Sequence, residues 1–269
     1  MRKHDNRNDQ FHQYGHAQYN MLPRILFALF VLLLFYTQHA NAVTKSNLDK
    51  RIVTAGIATD ELSGLGHKRQ ADMLQLIRGM RAFSSDDFSR AYRLLLPLAE
   101  QGIAEAQFYV GLMYDSGLGT DKNPATAFSW YEQAANKGHS SAQHNLAVAF
   151  ANGEGTQRDP DKAIHWWKQA AQQGNTDAQY NLGIVYAVGK LGIKPNLKQA
   201  KDWWRKAAIS GDAMAQYNLG ILYANDNSGA VRSYCEAIRW WEESAKNGVQ
   251  QASTALEILK HKKDYYTCW

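Results

Sequence analysis

The chain repeats itself, and a fixed period is the feature that most constrains what it can fold into. Ala142-Gln143-His144-Asn145-Leu146, Ala178-Gln179-Tyr180-Asn181-Leu182 and Ala215-Gln216-Tyr217-Asn218-Leu219 are near-copies. They lie about 36 residues apart, and Ala106-Gln107 begins an earlier copy. A second block recurs in step: Trp130-Tyr131, Trp166-Trp167, Trp203-Trp204 and Trp240-Trp241. A period in this range means stacked supersecondary units, each burying its apolar face on its neighbour.

Each unit reads as two helices. In the first, Ala178, Leu182, Val185 and Tyr186 fall at i, i+4, i+7 and i+8, which is one helical face. The same face recurs as Ala142, Leu146, Ala149, Phe150 and as Ala215, Leu219, Leu222, Tyr223. The second helix carries Ala163, Trp167, Ala170 and Ala171 on one stripe. Its cognates are Ala200, Trp204, Ala207, Ala208 and Ala237, Trp241, Ser244, Ala245. A large ring facing small alanines lets adjacent helices interlock, so Trp167, Trp204 and Trp241 are expected in the core. Trp166, Trp203 and Trp240 lie about 100° further round and are expected to be partly exposed.

The second helices also announce their ends. Four residues before each leading alanine sits Asp87, Asn123, Asp159, Asn196 or Ser233, all able to cap an orphan N–H of the first turn. Pro124 and Pro160 follow as first helical residues, where a missing N–H costs nothing. Eleven residues after each alanine comes Gly102, Gly138, Gly174, Gly211 or Gly248, suited to a left-handed helix terminus. Asp87 and Gly102 bracket the second helix of an earlier, diverged unit, whose first helix is expected over residues 67–84. Residues 249–260 supply a first helix without a second, a cap for the far end. The resulting fold class is all-α, an α-solenoid of stacked antiparallel helix pairs over residues 67–260, with about five units, the last a half-unit.

These residues resemble the Sel-one-like repeat, a relative of the tetratricopeptide repeat. The family pattern runs A-x-A-Q-x-x-L-G-x-x-Y, then G-x-G, then K-A-x-x-W-Y-x-K-A-A-x-x-G. Ala178-Gln179, Leu182-Gly183, Tyr186, Ala200, Trp203-Trp204 and Lys206-Ala207-Ala208 stand in those places. Gly117-x-Gly119 and Gly153-x-Gly155 match the interhelical turn. The third unit has one extra residue within Gly189-Lys190-Leu191-Gly192, and the fourth departs further with Asn225-Asp226-Asn227-Ser228-Gly229. The resemblance implies that first helices line a concave surface. There His144, Asn145, Tyr180, Asn181, Tyr217 and Asn218 are candidate partner-binding residues. Asparagine offers both a donor and an acceptor to a peptide backbone, and the rings offer stacking area. The alternative for each asparagine is a bond to a neighbouring helix.

The N-terminus does not belong to this fold. Arg2, Lys3, Arg7 and Arg24 precede an apolar run from Ile25 to Tyr36, and Ala40-Asn41-Ala42 supplies small residues for cleavage. This is the pattern of a secretory signal peptide over residues 1–42, cut after Ala42. The run is shorter than the roughly 20 residues that a bilayer span needs. The mature chain is therefore expected to have no stable membrane span and to be periplasmic or secreted. The alternative is a membrane anchor formed by an uncleaved N-terminal segment. Residues 43–66 read as a flexible linker and residues 261–269 as a C-terminal tail. The net charge of +5 is too mild to argue nucleic-acid binding. Cys235 and Cys268, the only two cysteines, are expected to form one disulfide in an oxidising compartment. The cap helix returns antiparallel beside the last second helix, which brings the tail back toward Cys235.

No reaction is written in the chain. There is no Ser-x-x-Lys, no G-x-S-x-G elbow and no metal-type spacing of cysteine or histidine. His139, His144 and His165 fall in one repeat and read as surface variation. No catalytic residue, metal or cofactor is therefore assigned. The function expected is an exported scaffold that binds a protein or peptide partner, in envelope assembly, signalling or host interaction. The alternatives are binding of a cell-wall glycan or exopolysaccharide, for which Trp166, Trp203 and Trp240 are the candidates, and β-lactam or peptidoglycan hydrolysis, which the resemblance to some secreted family members suggests.

Overall fold

The computed structural model describes residues 66–225, 231–260 and Cys268. The expected leader, nearly all of the linker and most of the C-terminal tail lie outside the described residues. Within them are eleven α-helices and one short 3-10 turn. The helices are α1 (His67–Ser84), α2 (Phe88–Glu100), α3 (Ala104–Ser116), α4 (Pro124–Asn136), α5 (Ser140–Asn152) and α6 (Pro160–Gln172). There follow α7 (Thr176–Val188), the turn Lys190–Gly192, α8 (Leu197–Ile209), α9 (Ala213–Ala224), α10 (Val231–Lys246) and α11 (Gln250–Lys260). First helices are α3, α5, α7 and α9; second helices are α4, α6, α8 and α10. Each first helix is packed against the second helix of its own pair and that of the preceding pair.

The apolar stripes fall where the periodicity puts them. Ala178, Leu182, Val185 and Tyr186 are buried, as are Ala163, Trp167, Ala170 and Ala171. Asp87, Asn123, Asp159 and Asn196 each accept a hydrogen bond from the backbone N–H three residues on. Ser233 does not cap its helix: α10 begins at Val231, so Ser233 lies inside the first turn. The fourth unit lacks the G-x-G turn that stops the first helix and restarts the chain elsewhere. Its second helix accordingly runs 16 residues, against 13 in α4, α6 and α8.

A repeated glutamine locks each pair to the one before it. Gln107, Gln143, Gln179 and Gln216 donate from Nε2 to the carbonyls of Ala99, Ala135, Ala171 and Ala208, at 3.0–3.2 Å. Those carbonyls lie in the last turn of the preceding second helix and have no helical partner. Each also accepts the N–H of the glycine that ends the helix. One glutamine thus fills the second lone pair of an otherwise underused buried acceptor, four times over.

Where a glycine sits four residues after that glutamine, the aromatic ring of the paired helix rests directly on the backbone. A Cβ on Gly183 would lie 2.2 Å from Trp204, and one on Gly220 would lie 2.2 Å from Trp241. The close approach lets the Trp204 and Trp241 indoles donate to the carbonyls of Tyr180 and Tyr217, at 3.2 and 3.0 Å. The second unit carries Ala147 at this place. There the Trp167 Nε1 is buried without a hydrogen-bond partner. The indole bond is present in the two units with glycine at this place and absent in the unit with alanine.

Cys235 and Cys268 are joined, with Cα atoms 5.3 Å apart. Cys268 packs against the terminal apolar cluster of Ile238, Trp241, Val249, Ala252 and Leu259. The bridge therefore holds Cys268 against the apolar cluster formed by α10 and α11.

Two stability measurements test this packing. Gly183→Ala should cost roughly 2–4 kcal/mol in urea unfolding, from overpacking and a lost indole bond. Ala147→Gly should stay within about 1 kcal/mol of the parent, because a new indole bond offsets the helix cost of glycine. A mild effect at Gly183 would show that the ring contact does not organise the pair. Replacing both cysteines by serine should cost roughly 3–4 kcal/mol in the chain-entropy model. Unchanged unfolding midpoints with and without reductant would show that the bridge does not hold the cap.

Candidate functional site

The second helices cover two flanks of each first helix, and a third face is left partly open. It is built in register. Phe108, His144, Tyr180 and Tyr217 form one row along α3, α5, α7 and α9. Leu112, Val148, Ile184 and Ile221 form the next, four residues on along each helix and thus on the same face. The aliphatic row is half-buried throughout, as are His144 and Tyr217, while Phe108 is 4% and Tyr180 9% exposed.

The other expected partner-binding residues sit deeper. Asn145 is half-buried, and its side chain bonds the Tyr131 side chain, whose hydroxyl also donates to Asp115 at 3.3 Å. Asn181 is 7% exposed and Asn218 1%. The Asn218 amide has no hydrogen-bond partner at either Oδ1 or Nδ2. Of the six, His144, Tyr180 and Tyr217 are brought together in one row, with the asparagines beside them on the inner side. Trp166, Trp203 and Trp240 are half-buried on the second helices, away from this row; Lys206 places its Nζ 4.2 Å from the centre of the Trp203 ring.

Three caps at the starts of the first helices went unrecognised in the sequence. His139, Asn175 and Asp212 cap α5, α7 and α9, accepting from the N–H groups of Ala142, Ala178 and Ala215. His139 is thus a buried cap and not surface variation. Its Nδ1 accepts the Ala142 N–H, so the proton sits on Nε2 and is donated to Glu105 at 2.9 Å. Its ring also stacks on Phe108 at 4.6 Å. His165 is exposed. A signal did exist: each of these caps directly follows a glycine that ends a second helix. Glu105 and Asp177 are the second residues of α3 and α7, where acids favour the helix dipole.

The electrostatics of this end are uneven. Burial pushes the Asp212 carboxyl up to about 6, assisted by the charge of Asp177 and opposed by the Ala215 and Met214 N–H groups. Burial holds the His144 imidazole below its usual range, with Asp177 pulling the other way. Burial also raises the Tyr217 hydroxyl. No lysine or arginine among the described residues pairs with Asp177 or Asp212. At the other end of the first helices, burial and the Glu154 charge raise Asp115, which Tyr131 and Lys122 oppose.

These shifts fix a sign. Asp212 binds a proton more tightly folded than unfolded, so its contribution to stability is largest below pH 3.8 and is lost as pH rises through about 6. Asn caps as well as Asp. Asp212→Asn should therefore match the parent near pH 4 and exceed it by up to about 3 kcal/mol at pH 8. Denaturant unfolding at the two pH values checks this. A variant no more stable than the parent at pH 8 would show that the carboxylate is not strained.

Comparison with known proteins places this geometry. The model of the Sel1 repeat matches residues 104–139, 140–175, 176–212 and 213–249. A Sel1 repeat protein from Oxalobacter formigenes, known from its crystal structure, is 27% identical, and the match covers 68% of this chain and 74% of that one, with a TM-score of 0.63. A protective antigen of uropathogenic Escherichia coli with an SLR fold is 28% identical over 70% of this chain and 48% of its own, with a TM-score of 0.42. The chitin synthase regulator SKT5 of Saccharomyces cerevisiae is 41% identical over 54 residues. Those residues are 20% of this chain and 8% of the yeast protein, so the chain spans a small part of that relative's length.

Proposed function

Because this chain belongs to the Sel1 repeat family, we propose that it is an exported scaffold holding a protein or peptide partner along its first-helix face. Sel1 repeats mediate protein–protein interaction in general, and scaffolds built from them are typically non-catalytic. The observation that carries the reading is the pair of rows on α3, α5, α7 and α9. The half-buried aliphatic row of Leu112, Val148, Ile184 and Ile221 runs beside an aromatic one. A face kept apolar and aromatic yet partly open suits packing against another polypeptide. In this reading His144, Tyr180 and Tyr217 meet the partner, Asn145 reaches it from the edge, and the buried Asn181 and Asn218 support the row.

Export rests on three supports. The Arg-flanked apolar run and Ala40-Asn41-Ala42 have the form of a signal. The Cys235–Cys268 bridge is of a kind that persists in oxidising compartments. No described helix is long and apolar enough to cross a membrane. Residues 1–42 are then the signal, 43–66 a linker, 67–260 the solenoid and 261–269 a tail tied back by the bridge. The partner would be an envelope or secreted protein, met in assembly, signalling or contact with a host.

Site-specific crosslinking tests the reading. A photoreactive phenylalanine analogue at Ile184 should give a discrete protein adduct in the exporting cell, and the same analogue at the exposed Lys168 should not. Equal labelling at both positions, or none at Ile184, would remove the first-helix face as the partner site. Mature protein should begin at Val43 by N-terminal sequencing.

A further inference from the structure

His139 makes three contacts at the seam between the first two Sel1 repeats. Its Nδ1 accepts the Ala142 N–H at 3.1 Å and so caps α5. Its Nε2–H is donated to Glu105 of α3 at 2.9 Å, and its ring stacks on Phe108 at 4.6 Å. The residue is buried. Asn175 and Asp212 do the same capping work at α7 and α9 with a side-chain oxygen. An amide oxygen stays an acceptor at any ordinary pH, and a carboxyl group keeps acceptor capacity even when protonated. Of these three caps, only the imidazole nitrogen turns from acceptor into donor on taking up a proton.

Imidazole is the side chain whose charge ordinarily changes between about pH 5 and 8. A charged ring donates from both nitrogens and accepts at neither. Its Nδ1–H would face the Ala142 N–H, donor against donor, and the cap would be lost. The charge would also stand at the positive end of the α5 dipole, where a cation is disfavoured. Glu105 acts the other way. Its carboxylate bonds Nε2–H in either form, and more strongly when the ring is charged. The bond to Glu105 is therefore the one kept, and the bond to Ala142 the one given up. The surrounding elements add little charge to this balance. The last turns of α4 and α6, Gln133 to Asn136 and Gln169 to Gln172, contain no ionisable group. On α5 the ionisable side chain is His144, which burial holds below its usual range against the pull of Asp177 at the start of α7. Lys137, in the connection from α4, is turned onto the Gly102 carbonyl. The other carboxyl of α3, Asp115, lies at the opposite end of that helix.

We propose that His139 is a proton-operated latch between the first two repeats. Neutral, it caps α5 and holds Glu105 and Phe108 of the preceding unit. Protonated, it stays with Glu105 and releases the first turn of α5. Phe108 heads the aromatic row of the first-helix face, so the latch stands where that row begins. The response is confined to one seam, because the caps of α7 and α9 remain acceptors. It does not depend on reading the first-helix face as the partner site.

Amide hydrogen exchange of the full chain, resolved by residue with NMR and expressed relative to the unprotected rate at each pH, tests the latch. Between about pH 7.5 and about pH 5 the protection of Ala142 should fall at least about tenfold, while that of Ala178, under the Asn175 cap, should stay within about twofold. Ala215 does not serve as the control, because Asp212 itself titrates at about 6. His139→Asn gives α5 the kind of cap that α7 has, and a melting curve confirms that the variant is folded. In it the protection of Ala142 should be the same at both pH values. Glu105→Gln should leave the fall in place but move its midpoint to lower pH, since the charge that favours the imidazolium is gone. Equal protection of Ala142 at both pH values in the parent would overturn the proposal. So would a fall that Ala178 shares or that persists in His139→Asn, which would mark a general loosening in acid. The comparison of Ala142 with Ala178 in the parent needs no variant.

Discussion

No helix pair in this chain can bury its own apolar surface, and that constraint governs everything else. Each first helix needs two second helices, one from its own unit and one from the unit before. The stability of any unit therefore depends on its neighbours, as in other quasi-one-dimensional stacks. The glutamine bond to the preceding helix makes the dependence specific. It fixes the distance and register between units by completing a buried carbonyl that would otherwise be short of one partner. Apolar contact alone would hold the helices together without fixing their register.

Within that frame, small differences between units have local consequences. Gly183 and Gly220 let an indole settle on the backbone and find a carbonyl, while in the unit that carries Ala147 the Trp167 N–H is unpaired. In the first unit the ring is Tyr131 over Gly111, and its hydroxyl reaches Asp115 instead. The ends are managed by different means. α1 and α2 form a diverged pair at one end. At the other, a half-unit and a disulfide bring Cys268 onto the last apolar cluster.

The open face follows from the same economy. Two sides of each first helix are committed to packing, and the third is left partly open. Residues there differ from unit to unit: Phe108, His144, Tyr180 and Tyr217 in one row, Glu105, Ser141, Asp177 and Met214 in another. The apolar rows repeat from unit to unit. Of the acids there, Glu105 is bonded to His139, and Asp177 has no lysine or arginine partner among the described residues.

The period, the caps and the terminal glycines were legible in the sequence because each depends on residues within one helix turn of one another. They settle the all-α class, the paired helices and the core tryptophans without any knowledge of tertiary contacts. The Cys235–Cys268 bridge was legible as well, since antiparallel return of the cap helix brings the tail back. The start of α10 was misplaced because Ser233 is a good cap only where a turn precedes it, and the fourth unit replaces that turn. The depth of Asn181 and Asn218 was also beyond the sequence: a face 100° from the core of one helix can still lie against another, and that depends on the approach of the second helices. The pairing of His139 with Glu105, 34 residues away, exists only between units. A repeat sequence states what each unit contains. Which side chains of successive units meet, and which remain without a partner, is decided by the stacking.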